Sequence, residues 1–164
     1  MSHPSQADFE ALVRHLRGAN IDFIVVGGVA AILHGAPTST LDLDIVPRQD
    51  PENLLHLSEA LAGIDALVRD LAGRRMRPDL SELELGGQLR LTTRLGPIDV
   101  LGRLHDGRGY EELEPSTLVL ADADLEIRVI DLETLISIKR STGRAKDRLL
   151  VPILLALADE LKKE

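Results

Sequence analysis

The stretch DFIVVGGVAAILHGAPTSTLDLDIVP, residues 22–47, decides how the rest of the chain is read. Residues 21–26 are largely apolar and rich in β-branched side chains, the composition of a buried strand. Gly27 and Gly28 end that strand, and residues 29–33 suit one or two turns of buried helix. His34-Gly35 is a helix end, with Gly35 supplying a left-handed cap. Residues 40–46 then alternate as a second strand, which places Asp42 and Asp44 on one face, roughly 7 Å apart at Cα. Leu41, Leu43 and Ile45 are expected to turn the other way, into a core.

Two neighbouring carboxylates repel, so the pair costs stability unless a cation or solvent relieves it. A divalent cation does so well, and hard carboxylate oxygens suit magnesium. The glycine pair fits the same chemistry. A strand-to-helix turn without side chains admits a polyphosphate close to the backbone, where free N–H groups favour an anion.

The pattern Gly27-Gly28-x-Ala30-x-x-x-His34-Gly35-x-x-x-x-Thr40-x-Asp42-x-Asp44 resembles the signature of the nucleotidyltransferase superfamily that includes polymerase beta. Within it, the minimal bacterial AbiEii-like proteins are the nearest in pattern. The resemblance is specific over residues 25–46 and looser elsewhere. Relatives commonly carry an Arg two residues before the Thr, where this chain has Thr38. The resemblance implies an α/β (α+β) fold: a mixed sheet with flanking helices and a C-terminal helical segment. It implies a third acidic residue from a later strand. It also implies a single domain over residues 1–164, with a core at about 20–102 and C-terminal helices at about 131–162.

Asp99 is the candidate for that third acid, lying between Ile98 and Val100 in an apolar strand. A lone carboxylate there needs a partner. The alternatives are a metal site or an edge-strand Asp bonded to a loop. Residues 88–94 and 97–101 read as two strands joined at Leu95-Gly96. Elsewhere, residues 7–19 have helical spacing with acids early and bases late. Asp50-Pro51-Glu52 opens a helix that buries Leu54, Leu55, Leu57, Leu61 and Ala62 and stops at Gly63. Residues 64–71 are ambiguous between strand and helix. Residues 72–80 read as a loop, whose Arg74, Arg75 and Arg77 are either solvated or contact an acceptor or phosphate. Residues 116–120 and 125–130 form a hairpin, and Asp131 caps a helix through Ser141. Gly143 breaks it before a last helix from Arg144 to Lys162, with a kink or break expected near Leu150 because of Pro152. The run Lys139-x-x-x-x-Arg144-x-Lys146-Asp147 resembles the lysine-rich segment that ends in Lys-Asp beside the cleft of the same relatives. Its cations either hold a triphosphate or answer the helix dipole.

At 164 residues, 44% hydrophobic and 28% charged, the composition is that of an ordinary globular domain. Aromatic residues make up 2% (Phe9, Phe23 and Tyr110), too few for a base-stacking platform. A net charge of -8 is unlike a general nucleic-acid binder. The lack of cysteine excludes disulfides and thiolate chemistry. Apolar runs are too short for a membrane span, and a cytoplasmic location is expected.

By resemblance, the chain is expected to move a nucleoside monophosphate from a nucleoside triphosphate, ATP among them, to an acceptor hydroxyl. Asp42, Asp44 and Asp99 would be the catalytic and metal-binding set for two magnesium ions, with Asp99 also accepting the hydroxyl proton. Gly27, Gly28, Lys139, Arg144 and Lys146 would bind the nucleotide. The acceptor could be RNA, a protein or a small molecule, since fold alone does not choose. The alternative is a catalytically weak or inactive nucleotide-binding module, with a cognate partner protein in a toxin–antitoxin-like pair.

Overall fold

Buried apolar runs and capping residues set the elements, which the computed structural model describes for residues 2–164. Helix α1, Phe9–Gly18, is capped by Asp8, whose side chain accepts from the Ala11 N–H, and buries Leu12, Val13 and Leu16. Strand β1, Phe23–Val26, is buried along its whole length and leads straight into α2, Gly27–Leu33. The helix therefore begins at the first glycine, two residues earlier than its apolar pattern suggests. His34 closes it and Gly35 follows at φ +101°.

Strand β2, Leu43–Pro47, starts later than the alternation implies. Leu41 lies before it and is 57% exposed, so it does not join the core, whereas Leu43 and Ile45 are fully buried. Pro47 ends β2 while still opposite Phe23 of β1. Helix α3, Pro51–Gly63, has Asp50 at its N-cap position, but the Asp50 carboxylate is engaged by Arg48 Nε at 2.9 Å rather than by the helix. Its inner face is Asn53, Leu54, Leu57, Ala60 and Leu61, with Leu55 and Ala62 turned outward. The helical period explains this: residues 54, 57 and 61 share a stripe that 55 and 62 flank.

The ambiguous segment contains β3, Leu67–Val68, and the arginine-rich loop gives way to α4, Leu80–Glu84. Asp79 and Glu82 form a capping box at its start, a signal present in the sequence as Asp-x-x-Glu. Strands β4, Gln88–Thr92, and β5, Ile98–Leu101, pair as expected. Helix α5, Tyr110–Leu113, precedes the hairpin of β6, Thr117–Asp122, and β7, Leu125–Ile130. Helix α6, Leu132–Thr142, is capped by Asp131 and ends at Gly143 at φ +70°. Helix α7, Ala145–Lys162, runs unbroken through Pro152, with Leu150 and Leu154 buried on either side. That packing holds the turn where the proline removes a backbone bond.

Among the described residues, seven strands form one mixed sheet in the order β3-β4-β5-β2-β1-β7-β6. β1 is antiparallel to β2 and parallel to β7, and β2 is parallel to β5. The central strands β1 and β2 are covered on both faces, which is why they read as nearly continuous apolar runs. None of the described helices is long and apolar enough to cross a membrane.

The buried Asn53 ties the far ends of β1 and β2 to α3. Its Oδ1 accepts from the Asp22 N–H at 2.8 Å, and its Nδ2 donates to the Asp22 and Arg48 carbonyls at 2.9 and 2.8 Å. Asn53→Ala strands the Asp22 N–H and the Arg48 carbonyl, while the Asp22 carbonyl keeps its bond from the Arg48 N–H at 3.0 Å, and urea denaturation should show a loss of about 2–3 kcal/mol.

Candidate active site

β2 and β5 lie side by side and parallel, with Leu43 opposite Ile98, Asp44 opposite Asp99 and Ile45 opposite Val100. This register puts Asp44 and Asp99 next to each other on one face of the sheet. Asp42, one residue before β2, reaches the same place. One carboxylate oxygen from each of the three lies within 4.8 Å of the others. β5 is an interior strand, between β4 and β2, so Asp99 is not an edge-strand acid bonded to a loop.

The glycine turn is shaped around this cluster. Val26, the last residue of β1, is opposite Asp44, and Gly27 follows at φ +69°. A Cβ on Gly27 would lie 2.1 Å from Asp44 Oδ2, and one on Gly28 would lie 2.7 Å from the Thr40 Cβ. The chain's own Asp44 and Thr40 side chains therefore require bare backbone here. Gly27 and Gly28 also line a cleft of about 420 Å³ together with Asp42, Asp44, Asp99, Lys139, Arg144 and Lys146. The cleft thus collects the eight residues that the sequence offers for metal and nucleotide binding.

Cations and carboxylates balance across it. Lys139, on α6, donates to Asp147 Oδ1 at 3.0 Å; the Thr142 hydroxyl donates to Asp147 Oδ2, and Arg144 Nε is 3.4 Å from it. Burial pushes the Asp147 carboxyl up, but Thr142, Lys139 and Arg144 together hold it below the usual carboxylate range. Asp147 is thereby the post that aligns Lys139 and Arg144 where α6 meets α7.

Burial raises the Asp44 carboxyl to about 7, with repulsion from Asp99 and Asp42 adding to it and Lys139 opposing. Burial also raises Asp99, against the pull of Arg69 and Arg90. Arg69 was not singled out by any pattern. Its Nη2 donates to Asp99 Oδ1 at 2.6 Å and to Asp42 Oδ2 at 3.2 Å. Residue 69 is carried there because β3 pairs with β4, the Arg69 N–H donating to the Arg90 carbonyl at 2.9 Å. Arg90 stands opposite Asp99 in the β4–β5 register and lines the cleft. No local sequence signal marks either arginine, because both arrive by strand pairing.

The remaining candidates lie elsewhere. His34 Nε2 meets the Ile130 carbonyl at 2.7 Å, joining α2 to β7. Arg74 bonds Asp70 at 2.6 Å and Arg77 lies 3.6 Å from Asp65, and neither lines the cleft.

A carboxyl whose pKa rises on folding binds protons more tightly in the native state, so stability falls as pH rises from about 4 to about 7. In metal-free buffer, unfolding free energy should be lower at pH 8 than at pH 5. Asp44→Asn should flatten that slope and add about 1–2 kcal/mol at pH 8, measured by urea titration at each pH.

No family model matches the sequence, and no curated protein matches it. Solved structures do. A candidate nucleotidyltransferase from Thermotoga maritima superposes with a TM-score of 0.55 at 15% identity, covering 99% of this chain and 98% of that one. The lincosamide antibiotic adenylyltransferase LnuA, solved with lincomycin bound, gives a TM-score of 0.64 at 11% identity, covering 94% of this chain and 99% of that one. Over nearly its whole described length, the chain has the mixed α/β fold of these nucleotidyltransferase structures.

Proposed function

We propose that the protein is a magnesium-dependent nucleotidyltransferase that moves a nucleoside monophosphate from a nucleoside triphosphate to an acceptor hydroxyl. One observation carries the reading: carboxylates from two separate strands converge beside a bare backbone turn, in a cleft whose wall bears cations from α6 and α7. The donor set fits a hard divalent cation, being all carboxylate oxygen and clustered within 4.8 Å. The cluster calls for positive charge: burial and repulsion from Asp99 and Asp42 raise the Asp44 carboxyl, and Arg69 contacts Asp42 and Asp99. Asp42, Asp44 and Asp99 would hold magnesium, two ions in this reading, which supplies charge neutralisation at the phosphates and a more acidic acceptor hydroxyl.

The chain's own groups account for the rest. The acceptor oxygen bonds to the α-phosphorus, the bond to the β-phosphate oxygen breaks, and pyrophosphate leaves. Asp99 would accept the hydroxyl proton at its carboxylate. Lys139, Arg144 and Lys146 bind the triphosphate and meet the charge that develops on it. Gly27 and Gly28 allow phosphate oxygens to approach the backbone.

For the acceptor, a small hydroxylated molecule is favoured. The net charge of -8 and the scarcity of aromatic residues disfavour a polynucleotide. One structure of this fold is named for adenylylating lincosamide antibiotics.

With α-labelled nucleoside triphosphates, magnesium and a cell extract, label should pass to small molecules with release of pyrophosphate. Asp42→Ala and Asp44→Ala should each lower the rate by about 10³-fold while circular dichroism shows the fold kept. Wild-type turnover in either variant refutes the metal assignment. Magnesium-dependent nucleotide binding without pyrophosphate release would instead mark an interaction module, as in a toxin–antitoxin-like pair.

A further inference from the structure

A site built to hold a divalent cation faces a problem when no cation is bound. Three carboxylates within 4.8 Å cannot all stay ionised without a counter-charge. Here the counter-charge is internal. A single nitrogen, Arg69 Nη2, contacts Asp99 Oδ1 at 2.6 Å and Asp42 Oδ2 at 3.2 Å, so it sits between the two carboxylates. A guanidinium does not lose its charge in a protein. Magnesium takes carboxylate oxygens at about 2.0–2.1 Å, and two cations cannot share that seat without strong repulsion.

We propose that Arg69 and a divalent cation are mutually exclusive occupants of the Asp42–Asp99 seat, with Arg69 as the protein's own gate on metal loading; the proposal rests on the metal reading given above. The arginine is placed to leave. Its side chain is one-third exposed, at 33%. It follows β3, a two-residue strand at the border of the sheet. Its backbone N–H stays paired to Arg90, so rotation of the side chain alone vacates the seat. Asp44 has no ion pair to Arg69, unlike Asp42 and Asp99, which leaves it as the carboxylate an arriving cation meets without displacing the arginine. Metal affinity is thereby set below what three carboxylates would give, and the metal-free fold is held together meanwhile.

The test uses Mn²⁺ binding to the full chain, by calorimetry or electron paramagnetic resonance, in wild type and in Arg69→Met, which keeps an apolar stem. The variant should bind Mn²⁺ about tenfold more tightly or better, since the competing occupant is gone. Its metal-free melting temperature should drop, and Mn²⁺ should raise it by more than it raises that of wild type. Equal or weaker Mn²⁺ affinity in the variant overturns the gate and leaves the metal site standing. Absence of Mn²⁺ binding to both proteins overturns the metal reading itself, and the gate with it. Should Arg69→Met fail to fold, the side-chain Nε–H resonance of Arg69 in ¹⁵N-labelled wild type decides, identified by its loss in Arg69→Lys. It should shift with magnesium at the midpoint of metal binding, and a resonance unchanged at saturation overturns the proposal.

Discussion

Asp44 and Asp99 face each other across a parallel strand pair, and their mutual repulsion in a largely dry setting is the constraint that organises this structure. Side chains that stand opposite in a sheet cannot move apart without breaking the ladder. The charge must therefore be met where it is, by protons, by an arginine or by a bound cation. All three means belong to one site: the raised Asp44, the Arg69 contact and an all-oxygen donor set. A fold selected for stability alone would place apolar residues at these interior positions.

The glycine turn follows from the same constraint. With the Asp44 carboxylate pressed against Gly27 and Thr40 against Gly28, any side chain at either position would collide with the cluster or its support. The bare backbone is required twice over, by the packing of the chain's own residues and by the phosphate approach proposed for it. Across the cleft, Asp147 is itself 3% exposed and fully engaged by Lys139, Thr142 and Arg144. It sets cations opposite the acidic cluster at a distance fixed by the α6–α7 junction. Positive and negative walls are each neutralised by the chain's own groups.

Stability and site share their foundations. Asn53 pins the ends of β1 and β2 that lie away from the cleft, and Asp8 and Asp131 cap the helices that flank the sheet. These polar groups act through backbone bonds that fix strand positions, and strand positions in turn fix which carboxylates meet.

Local chemistry was enough to announce much of this. Apolar β-branched runs marked β1 and β2, the Gly27-Gly28 pair marked the turn, and the Asp-x-Asp spacing marked two acids that meet at the cluster, although Asp42 lies just before the strand, because these features depend on near neighbours in the chain. The same limits explain the misses. Leu41 alternates correctly but lies before the strand begins, and Leu55 and Ala62 are apolar without facing the core, since hydrophobicity does not state where pairing starts or which stripe is covered. Asp99 was legible as a buried acid in an apolar strand, yet its place beside Asp44 is a matter of register between strands more than fifty residues apart. Arg69 and Arg90 carry no local signal at all. They reach the cluster through the β3–β4–β5 ladder, whose pairing is set by the long-range packing of the whole sheet.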